Sequence, residues 1–257
     1  MANTIISLKG LSKEFTKGKE KFLAVSNVTI DVEEGELVAI VGPSGCGKST
    51  ILKILSGLYD YEAGTMELGI EGEGFDTGRD IGFVFQQPLL LKWRKILENV
   101  LLPAEILGLP AKESRERASD LLHMVGLTEF ADAYPYQLSG GMQQRASIAR
   151  ALIHDPKIIL MDEPFGALDA LNREKMNLEL MRIWKESNKT ILFVTHDIQE
   201  AVFLGTQVAV LTASPARMAG VLDIDLPQPR KLGLRATEKF GTYSKDIYHL
   251  LGLDQIQ

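Results

Sequence analysis

The chain has a single cysteine, Cys46, among 257 residues. An internal disulfide is therefore impossible, which is typical of proteins that work in a reducing compartment. The sequence also has no excess of basic residues, because 34 acidic residues outnumber 28 basic ones. The resulting formal charge of -6 disfavours a general nucleic-acid binder, since such proteins usually present a basic surface. We therefore expect no nucleic-acid partner.

Long hydrophobic runs are absent as well. The N-terminal stretch MANTIISLKGLSKEF has no basic start followed by an apolar run and a small-residue cleavage site, so we expect no secretory signal. No stretch approaches the ~20 consecutive apolar residues of a membrane helix. Any role at a membrane is therefore expected to depend on a partner.

Short apolar strands alternate with helical segments along the chain, and this pattern predicts an α/β fold. The predicted strands are TIISLKGL, SNVTIDV, LVAIV, IGFVF, KIILMD, TILFVT and QVAVL. TKGKEK is predicted as the turn between the first two, and MELGIEGEGFDTGRD as a hairpin and loop. Residues 97–125 and the segment REKMNLELMRIWKES have helical periodicity. The tail from Pro227 is predicted to begin extended and to end as an amphipathic helix.

A glycine-rich loop between an apolar strand and a helix predicts a phosphate site. Residues 42–49 fit the pattern G-x-x-x-x-G-K-[ST], in which backbone N–H groups and a helix N-terminus face phosphate oxygens. Lys48 is expected to reach the β- and γ-phosphates, and Ser49 to offer its hydroxyl to Mg²⁺. The predicted phosphate-binding residues are Gly42, Pro43, Ser44, Gly45, Cys46, Gly47, Lys48, Ser49 and Thr50.

Cys46 lies inside this loop, beside Lys48 and the start of a helix. Such surroundings favour the thiolate, so we expect the thiol to ionise more readily than a free cysteine, whose pKa is about 8.5. If the thiol is reachable, a maleimide should modify it and inhibit the protein. We expect no catalytic role for it.

Two acidic residues follow the buried strand IILM and complete a candidate nucleotide site. Asp162 comes first, at the carboxyl end of the strand, where ligands bind in open α/β sheets. It is expected to hold Mg²⁺ through water. Glu163, next to it, is expected to activate an attacking water. The loop and these acids still fit kinases, GTPases, helicases and transporters alike.

The segment LSGGMQQR, residues 138–145, resembles the signature of the ATP-binding-cassette (ABC) superfamily and lies just upstream of IILMDEP, as in that family. Its serine and glycines open a helix, so Ser139, Gly140 and Gly141 would offer a hydroxyl and free N–H groups to an anion. Met142 stands where the family most often has glutamine. The resemblance implies a P-loop NTPase with a RecA-like core, an N-terminal antiparallel β subdomain and an inserted α-helical signature subdomain.

The resemblance extends over nearly the whole chain and assigns further residues. FVFQQ is similar to the Q-loop, which places Gln86 at Mg²⁺ and the attacking water, and VTHD to the switch, which places His196 near the γ-phosphate. GALD is similar to the D-loop, which puts Asp169 at a dimer seam. Phe15 falls where an aromatic ring, usually tyrosine, stacks on adenine. The implied ligands are ATP and Mg²⁺.

The family's mechanism implies that ATP on one copy's phosphate loop is capped by residues 139–141 of a second copy. A chain with one loop and one signature would then pair, most simply with itself, and the sequence leaves a homodimer and a heterodimer open. The segments QQPLLLKWRKILENV, YPYQLSGGMQQR and LTASPARMAGVLDIDLPQPR are similar to the nitrate/sulfonate/taurine branch of bacterial importers. This implies an ATPase at the cytoplasmic face of the inner membrane, bound to permease subunits and served indirectly by a solute-binding protein. LLLKW fits a permease-docking surface or a buried helix equally well.

The resemblance divides the chain into an ATPase domain at residues 4–235, with its helical part at about 88–150, and a helical tail at 236–257. The alternative function is a soluble ABC ATPase of an assembly system, such as iron–sulfur cluster assembly, with no membrane partner. DNA-repair and translation cassettes are disfavoured. The chain carries no long heptad insertion between Lys48 and Asp162, and it has one cassette rather than two.

Overall fold

The computed structural model describes residues 3–18, 20–70, 74–166 and 168–253. Three short 3-10 segments, Thr128–Phe130, Pro135–Gln137 and Leu232–Ala236, add to the regular elements. In chain order those elements are β1 (Thr4–Lys17), β2 (Glu20–Glu33), β3 (Leu37–Val41), α1 (Lys48–Leu55), β4 (Ala63–Leu68), α2 (Thr77–Asp80), β5 (Ile81–Val84), α3 (Ile96–Ile106), α4 (Ala111–Met124), α5 (Gly140–Leu152), β6 (Ile158–Asp162), α6 (Ala170–Ser187), β7 (Thr190–Thr195), α7 (Ile198–Leu204), β8 (Gln207–Leu211), β9 (Met218–Asp223) and α8 (Glu238–Leu250).

A six-stranded sheet forms the centre of the molecule, in the order β5-β6-β7-β3-β8-β9. The first five strands are parallel, and β9 pairs antiparallel with β8 at one edge. Leu37, Ala39 and Val41 of β3 pack into one hydrophobic core, and Val38 and Ile40 pack into a second core on the other face. Burial on both faces explains why the strand is a continuous apolar run. The predicted α/β fold is confirmed.

The second sheet is antiparallel, with the order β2-β1-β4, and it covers α1 and one face of the large sheet. Its first two strands are longer than the sequence predicted, because the hairpin pairing continues from Thr4 to Lys17. The hairpin predicted within MELGIEGEGFDTGRD is wrong: β4 pairs with β1 instead. The predicted loop after it contains the short helix α2, capped by the Asp76 side chain, which accepts from Gly78 N. Lys19 of the predicted turn and residues 71–73 lie outside the described residues.

Three helices, α3, α4 and α5, lie between β5 and β6 in the chain and pack on one another. The predicted helical stretch 97–125 consists of α3 and α4, separated near Pro110. Within the described ranges, none of the helices combines the length and the apolar character that crossing a bilayer requires.

The tail ends in α8, as the sequence predicted, and its Phe240 and Ile247 side chains are buried in the main core. Residues 254–257 of the predicted tail lie outside the part of the chain that the structure describes. The division into 4–235, a helical part at 88–150 and a tail from 236 stays a prediction.

Candidate functional site

The phosphate loop joins the carboxyl end of β3 to α1. Gly45 and Gly47 have φ values of 76° and 119°, in the left-handed region that favours glycine. A Cβ at Gly47 would also lie 2.7 Å from the carbonyl oxygen of Ala24, so no other residue fits there. Pro43, Ser44 and Gly45 are exposed, and the helix that follows begins at Lys48 as predicted. The loop therefore presents its outer face and a helix N-terminus to solvent.

Lys48 lies under the loop and is almost fully buried, with 4% of its side chain exposed. Its Nζ donates to the carbonyl oxygens of Gly42 and Pro43 at 2.9 and 3.0 Å. The same atom lies 3.8 Å from Glu163 Oε1. The ammonium is thus held at the loop by two carbonyls and one carboxylate, where it can pair with an anion.

Ser49 and Asp162 meet directly. The Ser49 hydroxyl donates to Asp162 Oδ1 at 2.7 Å, although the two residues are 113 positions apart. Burial raises the pKa of the Asp162 carboxyl, and the Ser49 hydrogen bond opposes that shift. A hydroxyl and a carboxylate side by side are the hard oxygen donors that Mg²⁺ prefers. The residues present therefore fit the cation that the sequence predicted.

Glu163 brings the predicted Q-loop and switch residues together. Its Oε2 lies 3.1 Å from His196 Nδ1 and 3.5 Å from Gln86 Nε2. Its backbone φ is 43°, in the left-handed region, which costs a non-glycine residue ~1–2 kcal/mol. Its N–H donates to the Val194 carbonyl and its carbonyl accepts from Gly166 N, both at 3.1 Å. These bonds fix a strained backbone that aims the carboxylate at the histidine.

The expectation that the Cys46 thiol ionises more readily than a free cysteine is wrong. The side chain is 2% exposed and belongs to the core beneath the loop. Burial raises the pKa of the thiol above its usual value, and the favourable charge of Lys48 is the smaller effect. The helix and the lysine were identified correctly from the sequence, but the sulfur points away from the phosphate side. Cys46 is therefore a packing residue.

The signature residues open α5, as predicted. Ser139 is the N-cap, and its hydroxyl accepts from Met142 N at 3.4 Å. Ser139 and Gly141 line a shallow cavity of about 220 Å³ together with side chains of α6. A different cavity, of about 530 Å³, is lined by Gly42, Pro43 and Ser44 of the phosphate loop together with His196. The signature and the loop of one copy thus line two different cavities.

Asp169 caps the N-terminus of α6. Its carboxylate accepts from the Asn172 backbone N–H at 3.1 Å and from the Asn172 amide at 2.6 Å. These hydrogen bonds lower the pKa of the carboxyl. Arg173 ties the preceding turn to the switch, because it donates to the Leu168 carbonyl and to Asp197.

Phe15 belongs to a cluster of three rings at the edge of the small sheet. Its ring stacks on Phe22, with centroids 5.6 Å apart, and meets Tyr59 edge-on at 5.4 Å. Lys13 Nζ lies 5.3 Å from the Phe15 centroid. The rings of Phe22 and Tyr59 are partly exposed, so the cluster offers aromatic surface to a ligand.

The segment after Gln86 is an ordered turn that leads into α3, so LLLKW does not form the buried helix that was one of its two interpretations. Asn99, which is fully buried, holds the turn: its amide accepts from Leu91 N at 2.7 Å and donates to the Leu91, Arg94 and Lys95 carbonyls. Arg150 of α5 donates to the Pro88 and Leu89 carbonyls. Trp93 is 73% exposed on this turn.

Sequence reasoning missed a buried polar group behind the switch. Glu200 and Asn177 are almost fully buried, and Arg235 of the tail reaches them. The one available signal was a carboxylate four residues after His196, in a short helix that is apolar apart from Glu200 and Gln199. Asn177 and Arg235 gave none, because their relation depends on how distant segments pack.

Comparisons with known proteins agree with this geometry. A family model described as ABC transporter matches residues 25–166. An uncharacterised ABC transporter ATP-binding protein of Methanocaldococcus jannaschii is 46% identical over 96% of this chain and 91% of its own length. A taurine import ATP-binding protein of Rhizobium johnstonii is 46% identical over 79% and 77%, and an aliphatic sulfonates import ATP-binding protein of Bacillus cereus is 38% identical over 94% of each chain.

A solved structure gives the same picture. It is a dimeric, post-hydrolysis state of an ATP-binding cassette bound to ADP and phosphate, with a TM-score of 0.73 and 36% identity over 86% of this chain and all of that one. The family model spans more than half of the chain, and the relatives cover nearly all of it. This chain belongs to the ABC transporter family.

Proposed function

We propose that the chain is the ATP-hydrolysing subunit of a bacterial importer, and that it drives uptake of a small solute through a separate permease. The observation that carries the proposal is the cluster of Lys48, Glu163, His196 and Gln86 at the mouth of the phosphate loop, with Ser49 and Asp162 beside it. The relatives' names, which include import proteins for taurine and aliphatic sulfonates, support taurine or another sulfonate as the solute, and nitrate or a related small solute stays a prediction.

In this proposal each residue of the cluster has one task. The phosphate loop, 42–50, binds the phosphates through its N–H groups, and Lys48 exchanges its two carbonyl partners for phosphate oxygens. Glu163 takes the proton of the attacking water. His196, already in contact with that carboxylate, orients it toward the γ-phosphate, and Gln86, which contacts the same carboxylate oxygen, positions the water.

Ser49 and Asp162 would hold Mg²⁺, with Gln86 nearby. When bound, this cation neutralises charge on the phosphate oxygens. The Ser49 hydroxyl donates its hydrogen to Asp162 and keeps its lone pairs free for the cation. The high pKa that burial gives Asp162 falls once a cation is next to it, because a nearby positive charge favours the carboxylate.

We further propose that two copies close around ATP. Residues 139–141 open α5, where Ser139 and Gly141 line a cavity other than the one lined by the chain's own loop, and we infer that this helix N-terminus caps a nucleotide held by the partner. Asp169 would lie at the seam between the copies. The related cassette with ADP and phosphate is itself dimeric, which supports this arrangement. Adenine would stack on the ring cluster around Phe15.

The permease would dock on the helical part of the chain. Leu89, Trp93, Ile106 and Tyr136 are exposed there, and large exposed apolar side chains indicate interaction surfaces. Arg150 and Gln144 of the signature helix hydrogen-bond to the carbonyls of Pro88, Leu89 and Phe85, so movement of the docking turn reaches the helix that opens at Ser139. The protein would therefore be peripheral at the cytoplasmic face of the membrane.

The test combines activity with location. Purified protein should hydrolyse ATP, and the Lys48→Ala variant should not. Tagged protein should co-purify with an integral membrane protein from detergent-solubilised membranes, and cells should lose uptake of the matching sulfonate when the chromosomal copy carries Lys48→Ala. Active protein found only in the cytosol, with uptake unaffected, would favour the assembly ATPase instead.

A further inference from the structure

The switch helix α7 is held from behind by the C-terminal segment. Arg230 donates from Nη1 to the carbonyls of Val202 and Phe203, at the last turn of α7, at 2.9 and 2.7 Å. Gln199 of the same helix donates to Ser244 of α8 at 3.3 Å. The helix whose N-cap follows His196 is therefore held at its last turn by Arg230 and near its start by Ser244.

A buried polar chain runs through this contact. In the amide orientation that satisfies both neighbours, Asn177 donates to Glu200 Oε1 and accepts from Arg235 Nη2, each at 3.2 Å. Asn177 is fully buried and Glu200 is 4% exposed. The Arg235 guanidinium also lies 4.9 Å from the centre of the Phe203 ring. None of these side chains takes part in the hydrolysis described above, yet leaving a buried polar group unpaired is costly.

His196 directly precedes Asp197, the N-cap of α7. His196 Nδ1 contacts Glu163 Oε2 at 3.1 Å, and Asp197 caps the helix by accepting from Glu200 N at 3.1 Å. Glu200 is therefore bonded to the N-cap through its backbone and to Asn177 through its side chain. A displacement of the Glu200 carboxylate acts on the first turn of α7 and on its N-cap Asp197, and so on His196, which directly precedes Asp197.

We propose that Arg235 is a positioning residue for His196 in ATP hydrolysis and acts through Asn177 and Glu200. The inference rests on the proposed function and adds a role for the C-terminal segment in it. The end of that segment supports the proposal independently, because Tyr248 and Leu251 line a cavity of about 530 Å³ together with Pro43 and His196. The tail thus meets the switch from two sides.

The charged groups around Glu200 show why its carboxylate responds to changes in the contacts with Asn177 and Arg235. Burial raises the pKa of Glu200 to about 7 and the charge of Asp197 adds to the shift, whereas the Thr195 hydrogen bond and the charges of Arg173 and His196 oppose it. Arg235 approaches from the tail, through the Asn177 amide. Near neutral pH the carboxyl can lose its proton, and as an anion it is held by two donors, Thr195 and Asn177.

The test compares Arg235→Met with Lys239→Met. Methionine keeps an unbranched side chain against the Phe203 ring and removes the donor to Asn177, together with the ion pair of Arg235 with the exposed Glu174 at 3.8 Å. Lys239, in the same tail, pairs with the exposed Asp225 and is the matched control for loss of one charge. For Arg235→Met we expect a kcat about three- to tenfold lower with KM for ATP unchanged, which lies within the roughly two- to thirtyfold range of residues that couple to a site without touching its ligand. Lys239→Met should behave as wild type.

A second readout does not need turnover. In nucleotide-free protein, the His196 ring signals in NMR, assigned with His196→Gln, should shift in Arg235→Met and in Asn177→Leu but not in Lys239→Met. The double variant Arg235→Met/Asn177→Leu should be no worse than the poorer single variant, because both break one chain. Unchanged His196 signals, or kcat losses that multiply, would overturn the proposal. A wild-type protein without ATPase activity would refute the proposed function. The NMR comparison would still test whether Arg235 influences His196 through Asn177 and Glu200.

If Arg235→Met does not fold, Arg235→Lys takes its place in both measurements. Lysine keeps a donor of similar reach but loses the planar fork. We expect partial retention of kcat and a smaller His196 shift. Wild-type values for Arg235→Lys beside an altered Asn177→Leu would contradict a role for Arg235.

Discussion

Replacing Glu163 with glutamine should separate nucleotide binding from turnover. The amide keeps the shape of the carboxylate and its neighbours His196 and Gln86, but it cannot take a proton from water. General-base catalysis contributes roughly 100- to 10,000-fold, so kcat should fall by about that factor. The bond to His196 can persist, since an amide offers both a donor and an acceptor.

Binding should change in the opposite direction. Glu163 Oε1 lies 3.8 Å from Lys48 Nζ, and the two side chains are 18% and 4% exposed. Opposite unit charges at this separation attract by about 1 kcal/mol in water and about 4 kcal/mol at an effective dielectric constant of 20. Glutamine removes this competition for the ammonium and removes a negative charge that faces the phosphates. Affinity for Mg-ATP should therefore rise by at least about fivefold, since ~1.4 kcal/mol is tenfold.

Three measurements test this reasoning. Equilibrium binding of a fluorescent ATP analogue gives the affinity, phosphate release gives kcat, and size-exclusion chromatography with Mg-ATP should show a stable dimer of Glu163→Gln only. Asp162→Asn is the contrasting neighbour, because it should weaken Mg-dependent binding instead. Wild-type turnover in Glu163→Gln, or weaker binding of Mg-ATP, would refute the role assigned to this carboxylate.

The remaining predictions concern five residues. Lys48→Ala should weaken ATP binding to the monomer by about tenfold or more, because a charge-assisted contact of ~1.5–3 kcal/mol is lost. Ser139→Arg should instead keep ATP binding to the monomer and block dimer formation and hydrolysis. Equal losses of monomer affinity in the two variants would contradict a site shared between copies. Phe15→Ala should lose about fivefold in ATP affinity and Phe15→Tyr much less, as a titration with ATP and GTP would show. Unchanged ATP affinity in Phe15→Ala would mean that adenine does not stack on this ring. Native Cys46 should react with maleimide far more slowly than in urea-unfolded protein, as intact mass over time would show, and equal rates would contradict its burial. The folded-state pKa of Glu200 is raised to about 7 from 4.5, so its contribution to stability is present below about pH 4.5 and is lost as pH rises to about 7. The free energy of unfolding in urea should therefore decline by about 3 kcal/mol over this pH range because of this group. Glu200→Gln should lack that decline.

The loop and its flanking elements were predictable because their geometry is local. A buried strand, glycines that tolerate positive φ and a helix start follow one another within residues 37–50, so sequence order alone determines the cradle. Asp162 was predictable for a related reason, since parallel strands end at one edge of a sheet and bring distant residues together there.

Other features depend on packing between segments far apart in the chain. In sequence, Cys46 stands beside a lysine and a helix start, as reactive loop cysteines do. In the structure its sulfur lies beneath the loop, where a Cβ at Gly42 would be 3.2 Å from it. The pairing of β4 with β1 joins residues more than 50 positions apart in place of a local hairpin. The contact of Asn177 with Arg235 likewise requires α6 and the tail to meet, which no periodicity indicates.

The exposed indole on the turn before α3 gives the molecule its own optical reporter. The chain has two tryptophans. Trp184 is half-buried and donates from Nε1 to the Gly35 carbonyl at 3.0 Å, so its emission should be constant. Trp93 faces water over most of its surface and should emit at long wavelength. Fluorescence of a Trp184→Phe protein would therefore move to shorter wavelength when a membrane partner covers that turn, and the docking step could be timed without any added label.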